Sequence, residues 1–441
     1  MSLEDLRSAA FDVFQHALRS VDAREAVRDV VNLDGSLLRI ADSEFEVSER
    51  GIYVVAIGKA AVSMSLGLHD VLGHRISQAI ISGPPIKTAA LPTTHRFFTG
   101  GHPIPNQQSL DAAAAAFKLL DQANREKALV VYLISGGGSA MLEWPVSSDI
   151  TLEDLRETNR QLITCGAAIR EINVVRRSIS ATKGGQLASR AKKADAVTLI
   201  VSDTNRGEES SVASGPTVPA LEDARDAMKV LKKYGLARTL PSSVISAMRE
   251  YKGHIDSIPP GYVLSDNDDA LWAATQRAVE LGFTTSIATD LNEQPIELGT
   301  ALLIKRASAM EELPACLISG GEFSCRVSGD GCGGRNLETV LRCALELDRK
   351  GVRDHTVILG AGTDGIDGSS FAAGSLADET TIARARELGI DAADYLERSD
   401  SHAFFERLDD LIVTGPTGTN VRDIRIVLRE KKQSRSLAPR R

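Results

Sequence analysis

The chain has 441 residues, of which 43% are hydrophobic and 25% are charged. This length exceeds the size at which one hydrophobic core usually stops growing, so it predicts two domains, and the composition excludes a wholly disordered chain. The formal net charge of -8 argues against attraction to nucleic acid or to an anionic membrane, because those partners recruit basic surfaces. We therefore expect neither kind of partner.

The N-terminal segment predicts an amphipathic helix rather than a targeting signal. MSLEDLRSAAFDVFQHALRS lacks a cationic start and a small-residue cleavage site. No apolar stretch of the chain reaches membrane-spanning length, about 20 residues. The five cysteines include no CxxC pair, so we expect reduced thiols and a cytoplasmic location.

Short apolar runs that end in Gly, Ser or Asp recur along the chain, and most precede a helical pattern. They are IYVVAIG, QAIISG, ALVVYLISG, AVTLIVSD, YVLSDND, TSIATD, ACLISGG, HTVILGAG and DLIVTG. Such runs are typical of strands buried on both faces of a parallel sheet. We predict an α/β fold with two domains, mainly parallel sheets flanked by helices, and an active-site cleft between the domains. Ligands in such sheets bind beyond the carboxyl ends of the strands.

A helical stretch bounded by proline-containing turns separates two strand-rich halves between Val218 and Pro260. It predicts an N-terminal Rossmann-like α/β domain over residues 1–240 and a C-terminal α/β domain over residues 241–430. Residues 431–441 form a basic tail. We interpret this tail as a frayed, solvated terminus rather than a nucleic-acid arm.

Two strand ends carry groups suited to phosphate. Lys59 follows the first run and opens a helix, where a cation beside backbone amides suits an anion. Gly136, Gly137, Gly138 and Ser139, called here the glycine loop, follow another run. Three successive glycines exceed the need of a tight turn and can direct several N–H groups toward phosphate. The chain has no GxxxxGK[ST] sequence, so this loop is not a P-loop.

Carboxylates follow two further runs. Asp203 ends AVTLIVSD, where it can bind Mg²⁺ or accept the proton of an acceptor hydroxyl. Asp364 and Asp367 lie in GTDGIDG, where two carboxylates would repel a dinucleotide unless a divalent metal intervened. An ordinary series of Asp-Gly turns remains the alternative there.

Arg335 opens a helix shortly after Glu322 ends a strand. A guanidinium at a helix N-terminus is unfavourable unless an anion is bound there. The position therefore predicts a clamp on a transferring phosphoryl group. Several other polar residues remain open between a functional and a structural role, namely His102, Arg176, Lys183, Glu208, Glu209, Thr417 and Asn420.

Taken in order, these segments resemble the glycerate 2-kinase family, whose C-terminal half is called the MOFRL domain. The resemblance runs from about Val54 to Val427. The matching motifs are AIGKAA, GHPIPNQQS, ISGGGSAML, REINVVRRSIS with KGGQLA, SDTNRGEESSVASGPTVP, GGRNLE, GTDGIDG and TGPTGTNV. Arg177-Ser178 stands where members often have Lys-His, and Glu208-Glu209 where they have aspartates. These departures bear on substrate choice more than on reaction type.

The resemblance implies an ATP- and Mg²⁺-dependent kinase that converts glycerate, a small-molecule substrate, to 2-phosphoglycerate. The family's essential lysine, aspartate and arginine fall on Lys59, Asp203 and Arg335. The glycine loop would cradle ATP phosphates, while Asp203 would orient the attacking 2-hydroxyl or its metal. The other residues we assign are Ser214 and Gly215 for the nucleotide, Arg176, Glu322, Asn336 and Thr417 for the substrate, and Asp203 with Asp364 for the metal. A monomer or a homodimer is expected.

An NAD(P)-dependent hydroxypyruvate reductase is the alternative from another enzyme class. GxGxxG occurs twice, with its glycines at Gly329, Gly331 and Gly334 and at Gly360, Gly362 and Gly365. Neither match opens a full dinucleotide-binding unit, since more loop follows the second and no ribose-binding acid obviously ends the strand after the first. A kinase for a related small hydroxy acid also stays open, whereas a non-enzymatic sensor would lack the catalytic residues.

Overall fold

The computed structural model describes residues 1–85, 91–219, 222–252, 258–351 and 354–432. The chain divides into two compact units. The parallel-sheet unit comprises Asp22–Asp266 and Gly418–Asn420, and the mixed-sheet unit comprises Met1–Val21, Asn267–Thr417 and Val421–Arg441. Most of the basic tail, residues 433–441, lies outside the described residues.

Helices and strands alternate along most of the chain. The helices are α1 (Leu3–Ser20), α2 (Ala23–Val30), α3 (Ala61–Leu72), α4 (Gln107–Glu126), α5 (Gly138–Met141), α6 (Leu152–Thr164), α7 (Ile169–Ser178), α8 (Gln186–Ser189), α9 (Ala224–Lys233), α10 (Ser242–Glu250), α11 (Asn267–Glu280), α12 (Ile296–Ala309), α13 (Arg335–Lys350), α14 (Thr381–Glu387), α15 (Ala392–Glu397) and α16 (Ser401–Leu408). The strands are β1 (Val31–Asp34), β2 (Leu37–Ile40), β3 (Ser43–Glu46), β4 (Ile52–Ile57), β5 (Ile76–Gly83), β6 (His95–Thr99), β7 (Leu129–Ser135), β8 (Asp195–Val201), β9 (Gly261–Ser265), β10 (Thr284–Ile287), β11 (Ala315–Gly320), β12 (His355–Gly362), β13 (Gly374–Asp378), β14 (Leu411–Ile412) and β15 (Asp423–Glu430). No helix in these ranges is long and apolar enough to cross a bilayer.

The parallel-sheet unit contains a six-stranded sheet in the order β6-β5-β4-β7-β8-β9. Every neighbouring pair in it is parallel. Strands β4 and β7 are buried along their whole length, as their unbroken apolar runs predict. The order of strands reverses between these two, and open α/β sheets bind ligands beyond the strand carboxyl ends at such a switch point.

The hydrophobic cores of this unit include one at the sheet and one among helices. One packs β4, β7 and α4 around Tyr132 and Leu120. The other is helical, joining α6, α7, α9 and α10 around Leu155, Leu231 and Val244. A small antiparallel sheet, β1-β2-β3, completes the unit. The four helices of this second core lie in the chain between β7 and β9. Their side chains can therefore reach the loops that follow the central strands.

The mixed-sheet unit contains a second six-stranded sheet in the order β10-β11-β15-β12-β13-β14. Only β10 and β11 pair in parallel, and β15 runs antiparallel between β11 and β12. The α/β fold with two domains is confirmed, but the expectation of a mainly parallel second sheet is wrong. A parallel connection needs about a dozen or more residues, usually a helix, whereas no helix separates β12 from β13.

The division between the units falls after Asp266 rather than near residue 240. Strand β9 accounts for the difference, because it pairs with β8 and completes the parallel sheet. The N-terminal helix α1 belongs to the mixed-sheet unit, where Leu6 and Phe14 are buried. Arg7 of this helix pairs with the buried carboxylates of Asp378 and Asp410.

Candidate functional site

The glycine loop follows β7, and its three glycines are required by close packing. A Cβ atom on Gly136 would overlap the carboxylate of Asp203 and lie 2.5 Å from Asn420 Nδ2. One on Gly137 would lie 3.2 Å from both the His102 ring and Lys59 Cγ, and Gly137 also has a φ of +78°. The loop backbone is therefore enclosed by side chains that the strand-end pattern singled out.

Lys59 reaches this loop from the neighbouring strand β4. Its backbone N–H donates to Gly136 O at 2.9 Å, and Ala60 N donates to Ser135 Oγ at 3.0 Å. Gly58 has a φ of +111°, and a Cβ atom there would overlap the backbone of Ser135. These contacts lock the carboxyl ends of β4 and β7 together at the switch point, with Lys59 beside the glycine loop.

Asp203 follows β8, and its carboxylate lies against the glycine loop. Asn420 Nδ2 donates to Asp203 Oδ2 at 3.4 Å. The structure thus brings together Lys59, the glycine loop and Asp203, together with His102 and Asn420, whose roles the sequence had left open. All of these belong to the parallel-sheet unit, because Gly418–Asn420 is part of it.

Ser139 and Ser214 are also neighbours. Their hydroxyl oxygens are 2.6 Å apart, and Ser214 Oγ donates to Asn173 Oδ1 at 2.7 Å. Arg177 binds the loop that contains Ser210 and Ser214. It donates to Ser214 O at 3.2 Å and to Ser210 O at 2.7 Å. Gly215 takes a φ of +68°, and its carbonyl accepts from Gly185 N at 2.7 Å. The two segments assigned to the nucleotide therefore form one hydrogen-bonded surface.

Lys183 is buried instead of lying on a solvated helix face. Its ammonium group pairs with Glu143 and donates to Ser180 Oγ at 3.3 Å. Burial lowers the pKa of Lys183, and Glu143 partly offsets the effect. Arg176 lies nearby, with Nε donating to Asn159 Oδ1 at 2.9 Å. The lysine is thus held by a carboxylate of the chain, and an assignment of Arg176 to substrate stays a prediction.

Arg335 forms the centre of a second cluster, in the mixed-sheet unit. Its Nε donates to Asp423 Oδ2 at 2.5 Å, and Nη2 lies 2.8 Å from Glu322 Oε1. Burial alone would lower the pKa of Arg335, but Asp423 and Glu322 outweigh burial and hold that pKa well above its usual value. Because β15 is antiparallel to β11 and β12, its amino end brings Asp423 to the edge where those strands finish.

Asp367 occupies the N-terminus of α13, where the sequence predicted a bound phosphoryl group. Its carboxylate accepts from Leu337 N at 2.8 Å and from Asn336 N at 3.1 Å. A carboxyl group of the chain therefore lies at this helix start, and the clamp on a phosphoryl group stays a prediction. Asn336 Nδ2 lies 3.2 Å from the same carboxylate, so this side chain is bound within the cluster.

Asp364 and Thr417 lie at the same edge of the mixed sheet. Thr417 Oγ1 donates to Thr363 O at 2.5 Å, and Thr417 N donates to Asp364 O at 3.3 Å. A Cβ atom on Gly362 would lie 3.1 Å from Asp364 Oδ1 and 3.4 Å from Asp423 Oδ1, so both carboxylates lie beside this glycine. Within the described ranges, no group of three or more His, Cys, Asp or Glu residues is arranged to hold a metal.

The glycines of both GxGxxG matches serve packing within the mixed-sheet unit. Cβ atoms on Gly329 and Gly331 would overlap or crowd the backbone near Arg398, and one on Gly365 would overlap Gly415 O. Gly360 and Gly362 lie inside β12, not in a loop after a strand. The second match therefore lacks the strand-loop-helix setting of a dinucleotide site, and the first begins at Gly329, well past the end of β11 at Gly320, rather than directly after the strand.

Sequence reasoning missed Asp423, the buried partner of Arg335. It also missed Arg425. The buried guanidinium of Arg425 donates to Ser319 Oγ at 2.9 Å and to Gly321 O at 3.1 Å, directly before Glu322. The available signal was three charged residues, Arg422, Asp423 and Arg425, within the largely apolar run NVRDIRIVL. Charged residues in a buried strand require partners.

Comparisons with known proteins agree over nearly the whole chain. Residues 9–249 match the family described as Domain of unknown function (DUF4147), and residues 315–423 match the MOFRL family. A D-glycerate 2-kinase from Thermotoga maritima is 32% identical over 96% of this chain and 99% of its own length. A relative from Agrobacterium vitis, provisionally named hydroxypyruvate reductase, is 36% identical over 85% of this chain and 98% of its own.

A solved structure is similar as well. The crystal structure of a glycerate kinase from Thermotoga maritima has a TM-score of 0.80 to this chain at 30% identity, covering 97% of this chain and 100% of that one. Together with the matches to both family models, these similarities show that the chain belongs to the glycerate 2-kinase family.

Proposed function

We propose that this chain transfers the γ-phosphoryl group of ATP to the 2-hydroxyl of glycerate, producing ADP and 2-phosphoglycerate. The observation that carries the proposal is the meeting of Lys59, the glycine loop and Asp203 at the switch point of the parallel sheet. The names of the similar Thermotoga proteins, D-glycerate 2-kinase and glycerate kinase, support the same reaction.

Phosphoryl transfer requires positioning and charge compensation more than covalent participation by the protein. In our assignment the N–H groups of the glycine loop contact ATP phosphates, with Ser139, Ser214 and Gly215 completing the nucleotide surface. Lys59 and Arg335 stabilise negative charge on the transferring group. Donors fixed in place before the reaction stabilise such charge at little reorganisation cost.

Asp203 is the group we assign to the attacking hydroxyl. It accepts the proton of the 2-hydroxyl as that oxygen bonds to the γ-phosphorus and the bond to the ADP oxygen breaks. Asn420 donates to one oxygen of Asp203, which fixes the orientation of the carboxylate. Arg176, Glu322, Asn336 and Thr417 are the residues we assign to the acceptor, as the motif resemblance implies.

Mg²⁺ is part of the proposal, and the donors present suit it. This ion binds through one or two carboxylates plus substrate phosphates and water rather than through an all-protein cage. A carboxylate such as Asp203 beside a phosphate-binding loop fits that chemistry, and we assign Asp364 as a second ligand. When bound, the ion would neutralise charge on the phosphate oxygens.

We also propose a cytoplasmic location and a monomeric or homodimeric state. All five cysteines are free thiols, which suits a reducing compartment.

The proposed function is tested by ATP consumption with Mg²⁺ across a panel of small hydroxy acids that includes both enantiomers of glycerate. Phosphorus NMR of the product identifies the hydroxyl that is phosphorylated. A 2-phosphoglycerate signal is expected. No phosphorylated product from any acid, together with NADH oxidation in the presence of hydroxypyruvate, would replace the kinase assignment with the reductase.

A further inference from the structure

Helix α13 begins without a capping side chain of its own. Its N-cap residue is Gly334, and its first helical residue is Arg335. The cap comes from another loop: Asp367 accepts the N–H groups of Asn336 and Leu337, and its side chain is fully buried. A carboxylate at this position satisfies two orphan donors and complements the positive end of the helix dipole.

Two glycines create the space for this carboxylate. A Cβ atom on Gly334 would overlap the Asp367 side chain, although the φ of Gly334, -164°, is open to any residue. A Cβ atom on Gly368 would overlap Gly333 O and lie 2.8 Å from Gly334 Cα. The loop after β12 and the start of α13 are thus packed backbone against backbone.

A continuous set of side-chain contacts joins Asp367 to Arg335. Asn336 Nδ2 lies 3.2 Å from Asp367 Oδ1, and the Asn336 side chain also favours the charged form of the Asp423 carboxylate. Asp423 accepts from Arg335 Nε at 2.5 Å and from Nη2 at 3.1 Å. Arg335 and Asn336 both lie in the first turn of α13, so a shift of this turn moves the guanidinium relative to Asp423.

Keeping a carboxylate here is costly for stability. Burial raises the pKa of Asp367 to about 7; the N–H donors of Leu337 and Asn336 and the charge of Arg335 oppose the shift, and Asp423 adds to it. The thiol of Cys325, which donates to Glu338 Oε2 at 3.1 Å, also interacts electrostatically with this carboxylate. An asparagine would fill the same space without a buried charge, so stability alone does not account for the aspartate.

We propose that Asp367 is a positioning residue for Arg335, because it fixes the first turn of α13 and thereby the guanidinium that stabilises the transferring phosphoryl group. The inference rests on the proposed function for the role of Arg335. The role of Asp367 in ordering the helix start can be measured without any activity.

The test compares Asp367→Asn with Asp391→Asn, an exposed aspartate that caps α15 in the same unit through Ala393 N at 2.9 Å. In Asp367→Asn, hydrogen–deuterium exchange at the start of α13 should accelerate and kcat should fall about 10-fold to 100-fold, with KM for glycerate and ATP nearly unchanged. Asp391→Asn should change neither quantity. Gly334→Ala, which displaces the same carboxylate, should reproduce the effect.

A second arm uses Arg335→Lys. If Asp367 acts through Arg335, adding Asp367→Asn to Arg335→Lys should lower kcat no further, whereas independent roles would give additive losses. Additive losses, or unchanged exchange in Asp367→Asn, would overturn the inference. A wild-type protein that phosphorylates no acid would refute the proposed function instead, and the exchange comparison would still decide whether Asp367 orders the helix start.

Discussion

The carboxylate of Asp203 lies so close to Gly136 that no side chain fits between them. A Cβ atom on Gly136 would overlap Asp203 Oδ2 and crowd Asn420 Nδ2. The glycine is therefore required by the position of the aspartate, since Gly136 does not have a positive φ. The glycine loop and the assigned proton acceptor are sterically coupled.

Gly136→Ala should displace Asp203 and lower kcat by about 100-fold, because errors of about 1 Å in a reacting group cost that much. Steady-state kinetics with ATP and glycerate measure the effect. Gly261→Ala is the matched control, since a Cβ atom there meets only Thr198 Cβ at 3.9 Å. Wild-type turnover in Gly136→Ala would contradict the role of Asp203.

Arg335→Ala should lower both activity and stability. The rate should fall about 10²-fold to 10³-fold, as when a single charge-stabilising donor is lost. The free energy of unfolding should fall by at least about 1–3 kcal/mol, because the buried carboxylate of Asp423 loses its partner. Urea unfolding and kinetics give the two quantities separately.

Adding Asp423→Asn to Arg335→Ala separates the loss of activity from the loss of stability. The double variant should regain part of the stability, because the unpaired buried charge is gone, while its rate stays low. Arg349→Ala, at the exposed end of the same helix, is the control for loss of an arginine. Recovery of turnover together with stability would exclude Arg335 from the chemistry.

Stability should depend on pH through Asp367. The pKa of this residue in the folded protein, about 7, lies above its value of about 3.9 in an unfolded chain. The folded state therefore binds the proton more tightly, and the resulting stabilisation is complete below pH ~4 and lost as pH rises through ~7. Urea unfolding of wild type and Asp367→Asn between pH 4 and 8 should show the wild type losing stability relative to the variant. Parallel pH profiles would contradict the prediction.

Glu143→Gln should destabilise the protein by about 3–5 kcal/mol, because it leaves the Lys183 ammonium buried without its counter-charge. Adding Lys183→Met should restore most of that loss. Glu153→Gln, in an exposed pair with Arg160, should cost at most about 1 kcal/mol. If Lys183 instead contacted glycerate, the double variant would be stable but would show a strongly raised KM for glycerate.

The sequence predicted the parallel sheet and the residues at its switch point, because unbroken apolar runs followed by Lys59, the glycine loop and Asp203 mark buried strands and their carboxyl ends. It did not predict the direction of β15. A strand buried on both faces has the same apolar pattern in either direction, so the sequence does not show that the amino end of β15 lies at the functional edge, and Asp423 was missed. The sequence left the role of Lys183 open for a related reason, since helical spacing does not reveal which tertiary partner covers a face.

The start of α13 at Arg335 shows which features a local sequence pattern can predict and which it cannot. The conflict between a guanidinium and a helix N-terminus was visible in the sequence, and it predicted an anion at that position. Which charge met the requirement depended on contact between residues 31 positions apart, Asn336 and Asp367. Such a contact depends on the pairing of loops at one sheet edge, which no sequence window contains.

The placement of α1 in the mixed-sheet unit has a consequence for synthesis on the ribosome. Residues 1–21 emerge first, but the rest of their unit begins only at Asn267, so 266 − 21 = 245 residues are translated in between. At about 5–20 residues per second this interval lasts roughly 12–50 s. Throughout it, the apolar face of α1 that carries Leu6 and Phe14 lacks the mixed-sheet unit that buries it, so apolar surface of the nascent chain stays exposed.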